Sequence, residues 1–121
     1  MEVVVISFDG QIDDFPMLVQ SVDNLIADGT RHMVIDLHTL PFINSAALGF
    51  MIKAQKSMER EGGEMALARV QPAILNILEM TALDQVFPTF EDIDEAVAYL
   101  GGDASEPAAE GMRPVRKHSW R

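Results

Sequence analysis

The sequence has no cysteine, so disulfides, thiolate metal sites and a cysteine nucleophile are excluded. It has no apolar run near the roughly 20 residues that a bilayer-spanning helix needs. The start, Met1-Glu2-Val3, lacks the basic n-region and cleavage site of a secretory signal, so the cytoplasm is the expected compartment. It has no phosphate-cradling glycine loop, dinucleotide fingerprint or nucleophile elbow. Basic residues are scarce: residues 1–100 carry 16 acidic side chains against 5 basic ones. Nucleic acid and anionic membrane both demand a cationic footprint, so neither is an expected partner. The three histidines, His32, His38 and His118, are not at ligand spacing, and no metal or cofactor is expected. The carboxylates Asp9, Asp13 and Asp14 suit turns and caps, and Asp36 reads as a bond acceptor for neighbouring backbone N–H groups. Loosely grouped acids such as Asp13, Asp14 and Asp36 are the only support for an enzyme, and no catalytic residue is assigned.

What is present is an alternation of strands and helices across 121 residues, a length suited to one domain. Val3 to Phe8 is a β-branched apolar run, a strand buried on both faces. Asp14 and Pro16 open a helix whose apolar residues, Phe15 through Ile26, recur at helical spacing until Gly29. Met33–Leu37 and Met65–Ala68 read as further strands, and Val86-Phe87 as a short last one. Helices are predicted from Ser45 to Glu61, from Pro72, and after Glu91, where acids suit the dipole. Such alternation predicts an α/β fold: a mainly parallel four-stranded sheet with about four helices packed on it. Residues 1–100 form the expected domain. Residues 101–121, rich in Gly, Ala, Pro, Ser and charge, read as a disordered tail.

The informative junction is Leu40-Pro41-Phe42-Ile43-Asn44-Ser45, where a strand has ended and a helix begins. Ligands of open α/β sheets bind beyond the carboxyl ends of strands. A helix start offers free N–H groups and accommodates a phosphate, which adds about −1.5 to −2 charge. Equally, Asn44 or Ser45 is simply an N-cap, worth about 1 kcal/mol. On a helical projection Ala47, Met51, Ala54 and Met58 form the inner stripe. Lys53, Lys56 and Arg60 lie opposite, in line with Ser45 and Gly49. Leu48, Ile52 and Phe50 flank the inner stripe, either as an apolar shelf for a partner or packed on neighbouring helices.

Val34-Ile35-Asp36-Leu37 followed by Phe42-Ile43-Asn44-Ser45-Ala46-Ala47-Leu48-Gly49 resembles the signature of STAS domains of the anti-sigma factor antagonist type. Gly10-Gln11-Ile12-Asp13, Glu61-Gly62-Gly63-Glu64 and Pro72 through Asp84 resemble further pieces of the family, in order, over roughly residues 2–100. The resemblance implies a non-enzymatic bacterial partner-switching protein in transcription regulation. Its partner would be an anti-sigma factor that is also a serine kinase with a histidine-kinase-like ATPase fold. Phosphorylation at Ser45 would release that kinase, and a serine phosphatase would reset the switch. The implied partner surface is Asp13, Asn44, Ser45, Ala46, Ala47, Leu48, Gly49 and Ile52.

Three departures accompany it. Asn44 stands where the family usually has Asp, and Ala46-Ala47 where it has Ser/Thr-Gly. The chain begins at the strand that is usually second, which predicts an open edge beside residues 3–8 and leaves a homodimer as an option. The departures also frame an alternative: a non-phosphorylated STAS interaction module in a transporter or stress-signalling complex.

Overall fold

In the computed structural model residues 2–101 are described in full, and the backbone of 103–104 and 118–120 is described as well. Strand β1 (Glu2–Phe8) leads through a 3-10 turn at Ile12–Asp14 to helix α1 (Phe15–Ala27). Strand β2 (His32–Asp36), helix α2 (Ser45–Arg60), strand β3 (Glu64–Ala68), helix α3 (Pro72–Met80), strand β4 (Thr89–Phe90) and helix α4 (Ile93–Tyr99) follow. The four strands run parallel in the order β4-β3-β2-β1. The α/β fold expected from the alternation is thus the one observed.

Strand side chains alternate between two cores. Val4, Ile6 and Phe8, with Met33, Ile35 and Leu37 of the β2 segment and Met65 and Leu67 of β3, face α1, α2 and α3. Val3, Val5, Val34, Ala66 and Ala68 face α4, which supplies Ile93, Ala96, Val97 and Leu100. A strand covered on both faces needs an apolar residue at every position, hence the unbroken apolar runs.

One strand lies elsewhere than expected. Val86-Phe87 does not pair; Val86 closes a 3-10 turn at Leu83–Gln85, and the strand forms beyond Pro88. Proline has no N–H to give a ladder, but its carbonyl accepts from Leu67 N at 2.8 Å and so starts the pairing. Because β4 is so short, the outer side of Met65 has no strand beside it. The buried Gln55 side chain substitutes for one: Nε2 donates to Met65 O at 2.8 Å and Oε1 accepts from Met65 N at 2.8 Å. The same Nε2 reaches Val86 O at 2.9 Å, which ties α2 to the loop before β4.

On the other edge, two short segments lie parallel to β1. Asp103–Ala104 pairs with Glu2–Val3, and His118–Trp120 with Ile6–Phe8. The edge expected to be open is therefore occupied along much of its length by the same chain. These five residues belong to the stretch read from sequence as a tail; residues 105–117 of that stretch lie outside the described residues.

The Gly62-Gly63 pair has two separate tasks. Gly62 takes φ +82° to end α2, and Gly63 lies so close to Arg31 that an added Cβ would sit 1.8 Å from its carbonyl oxygen. Glu64 N donates to that same oxygen at 2.8 Å, so the approach is set by the β2–β3 pairing. Gly63→Ala is expected to lower stability by about 2–3 kcal/mol in urea unfolding, since backbone must move to admit the methyl. A loss below about 0.5 kcal/mol would show that the approach is not fixed.

Candidate functional site

Helix α2 begins where the sequence placed it, and the geometry resolves the roles of its first two residues. Asn44 is the N-cap: extended at φ −100°, ψ 173°, it accepts Ala47 N on Oδ1 at 2.8 Å. Ser45 is then the first helical residue. It is exposed, and its hydroxyl has no hydrogen-bond partner among the described residues. Capping thus accounts for Asn44 and leaves Ser45 without a structural task.

The two loops at this end of the sheet are tied together. Thr39 Oγ1 donates to Phe8 O at 2.8 Å and accepts from Gly10 N at 3.1 Å. The 3-10 turn is held by Asp14, whose Oδ2 accepts Gln11 N at 2.9 Å. Asp14 therefore fixes this turn and makes no side-chain bond to the start of α1, although it occupies that N-cap position. As a result Asp13 faces the start of α2 across a cleft of about 400 Å³, lined also by Ile12, Phe15, Asn44, Ala46 and Ala47.

The structure thus unites four of the residues expected to meet a partner: Asp13, Asn44, Ala46 and Ala47. Ala46 is exposed, whereas Ala47 points inward and is 4% exposed, part of the core. Of the two methyls in place of the family pattern, only that of Ala46 reaches the surface. Leu48 and Ile52 are half-buried and, like Phe50, pack against the core, so the apolar shelf is partial.

Gly49 is exposed on the same stripe as Ser45, and a Cβ built there meets nothing within 4 Å. Nothing in the fold requires glycine here, yet glycine inside a helix costs about 0.5–1 kcal/mol relative to alanine. Gly49→Ala is expected to raise stability by that amount, read as a higher urea midpoint. An unchanged or lower midpoint would mean that the fold does need this glycine.

A second polar cluster sits at the carboxyl ends of β1, β2 and β3. Asp36 is fully buried. Ser7 Oγ donates to its Oδ2 at 2.8 Å, and His38 N to its Oδ1 at 3.2 Å. The expected bond to a neighbouring backbone N–H is present, but the principal partner is Arg69. Its Nε donates to Asp36 Oδ1 at 3.0 Å and its Nη2 to Oδ2, a two-pronged pair. The bond to Asp36 raises the Arg69 pKa above its already high ordinary value; partial burial opposes this.

His38 is exposed, and its Nδ1 lies 3.3 Å from both Arg69 Nη2 and Asp36 Oδ1, while its carbonyl accepts Gln71 Nε2 at 2.6 Å. Together these bonds and those of Thr39 brace the loop that leads to Asn44 and Ser45. Sequence reasoning missed Arg69, Thr39 and Gln55. Arg69 did leave one signal, a lone cation directly after a buried strand. Asp36 does not line the Asp13 cleft, so the loosely grouped acids are not brought into one site.

Among the described residues no group of three or more His, Asp or Glu side chains could hold a metal ion. No described helix is long and apolar enough to cross a membrane.

Residues 1–96 match the family model for the STAS domain. An anti-sigma F factor antagonist from Paenibacillus polymyxa is 28% identical over 101 residues, covering 81% of this chain and 86% of that protein. The crystal structure of an anti-sigma factor antagonist from Mycobacterium paratuberculosis shares 25% identity and a TM-score of 0.69, covering 83% of this chain and 86% of that one. A sulfate transporter family protein from Wolinella succinogenes shares the fold, with a TM-score of 0.68 at 19% identity over 81% of this chain and 84% of that one.

Proposed function

We propose that this chain, which belongs to the STAS domain family, is an anti-sigma factor antagonist that captures an anti-sigma serine kinase and is released by phosphorylation at Ser45. The observation that carries this reading is Ser45 itself: first residue of a 16-residue helix, exposed, with its hydroxyl unengaged because Asn44 does the capping. The expected partner has a histidine-kinase-like ATPase fold and acts in the cytoplasm. In the reaction the Ser45 Oγ–phosphorus bond forms, the bond from the γ-phosphorus to the bridging oxygen breaks, ADP leaves, and the hydroxyl proton passes to a base of the kinase. A serine phosphatase reverses the modification with water.

A phosphate at this position suits the helix, because negative charge at a helix start is favourable by about 0.3–1 kcal/mol. The switch therefore acts at the interface and not by melting α2. A phosphate there would sit next in the chain to Asn44 and Ala46, which line the Asp13 cleft, on a surface from which any partner must remove water.

Incubation with the kinase and ATP, followed by mass spectrometry, tests the reading. One phosphate at Ser45 is expected, and none in Ser45→Ala. Absence of phosphate in the parent chain would overturn the switch.

Asn44 and the Ala46 methyl favour a second reading, a non-phosphorylated interaction module of a transporter or stress-signalling complex. Asn44 supplies no carboxylate beside the serine hydroxyl, and Ala46 adds bulk where the kinase approaches. Recovery of transporter subunits in place of a kinase would select it.

A further inference from the structure

The five basic residues of the first 100 are Arg31, Lys53, Lys56, Arg60 and Arg69. Two of them are consumed internally: Arg31 pairs with Glu61 at 3.3 Å, and Arg69 with Asp36. The other three have no ion-pair partner among the described residues, and all three are exposed on α2. Their spacing sets them on one stripe that begins at Ser45 and passes through Gly49. On a body with 16 acidic residues, every uncompensated cation of residues 1–100 therefore lies along a single line.

Beside that line is a groove of about 300 Å³ between α1 and α2, lined by Lys53, Ile26, Phe50, Ala54, Ser57 and, as its one acid, Asp23. Ile26 and Phe50 are half-buried, so the groove offers apolar surface beneath a cationic rim.

We propose that this groove and the stripe Lys53, Lys56 and Arg60 form a docking track for an acidic segment of the partner kinase, with an apolar side chain seated between α1 and α2. The proposal rests on the function proposed above and extends that surface about four helical turns beyond Ser45, to Arg60. Charge supplies the argument for the occupant: an acidic body repels an acidic partner everywhere except along this stripe, so the stripe fixes orientation as well as attraction. Lys53 lies eight residues from Ser45, about 12 Å along the helix axis and beyond a Debye length of about 8 Å. The track is thus largely insulated from a phosphate at Ser45. It contributes to encounter, while Ser45 decides release.

The experiment measures association of the full chain with the kinase at low and high salt, for the parent, Lys53→Glu/Lys56→Glu, Asp23→Lys, and Glu79→Lys at an exposed position of α3 as a control. The double reversal should slow association about tenfold or more at low salt, with the difference shrinking at high salt. Asp23→Lys should speed it, and Glu79→Lys should change it much less than Asp23→Lys does. Equal rates for the parent and the double reversal, with Ser45 still phosphorylated, would overturn the track and leave the function standing. A kinase that neither binds nor phosphorylates the parent would overturn both.

Discussion

Ser45→Asp is expected to weaken capture of the kinase about 30-fold or more while leaving the fold at least as stable as the parent. The two halves of that result have one origin. At the first position of α2 a carboxylate interacts favourably with the helix dipole, so the thermal midpoint should hold or rise slightly. At the interface the same charge must be desolvated beside the Asp13 cleft. Like-charge juxtaposition across an interface costs several kcal/mol, and about 2 kcal/mol already corresponds to about 30-fold in Kd. Ser45→Ala separates charge from the mere loss of the hydroxyl: it should bind the kinase with near-parent affinity and accept no phosphate. Titration calorimetry of the three proteins, with circular dichroism melts alongside, reads both halves. Parent-like affinity for Ser45→Asp would argue that the start of α2 is not where the partner rests.

Arg69→Ala is expected to destabilise the protein by about 3 kcal/mol, the low end for breaking a buried pair, because the Arg69 side chain keeps 42% of its exposure. The damage arises less from the lost attraction than from what remains, a fully buried Asp36 that keeps Ser7 Oγ and His38 N as donors and His38 Nδ1 at 3.3 Å but no guanidinium. Arg69→Lys should recover only part of the loss, since an ammonium cannot span both carboxylate oxygens as the guanidinium does. Arg69→Gly should be less harmful than Arg69→Ala by about 1 kcal/mol, because Arg69 holds a left-handed φ of 54° that glycine adopts freely.

Removing both partners, Asp36→Asn with Arg69→Ala, should cost less than the sum of the single changes, which a double-mutant cycle in urea would show. Simple additivity would mean that the pair is not coupled. The Arg69 pKa is raised in the fold, so its contribution is present below its ordinary value and is lost only as pH climbs through the raised one. No pH dependence is therefore expected from this arginine between pH 5 and 9.

The cluster bears on the proposed function because it fixes the loop before α2. Asp36 holds His38 N and Gln71 holds His38 O, so the chain leaves β2 along one path toward Asn44. Loosening that path by Arg69→Ala should also blur the presentation of Ser45, in addition to its effect on stability.

The sequence by itself determined the elements of this protein and the helix start at Asn44-Ser45 on which the proposed function rests. Strands buried on both faces must be apolar at every position, helices must repeat their apolar residues near 3.6, and Gly29, Gly62 and Pro72 punctuate them locally. Asn44-Ser45 stood out because a helix start is chemically distinct from any other place in a chain. Two short-range features escaped: which of Asn44 and Ser45 caps, a matter of one φ/ψ pair, and the shift of the last strand past Pro88. Only the tertiary structure decided the rest. Asp36 meets Ser7 across 29 residues and Arg69 across 33 because parallel pairing brings the ends of β1, β2 and β3 side by side. Thr39, Gln55 and the cleft between Asp13 and Asn44 depend on the same register. Periodicity records which face of an element is buried; it carries no information about which distant side chain will be waiting there.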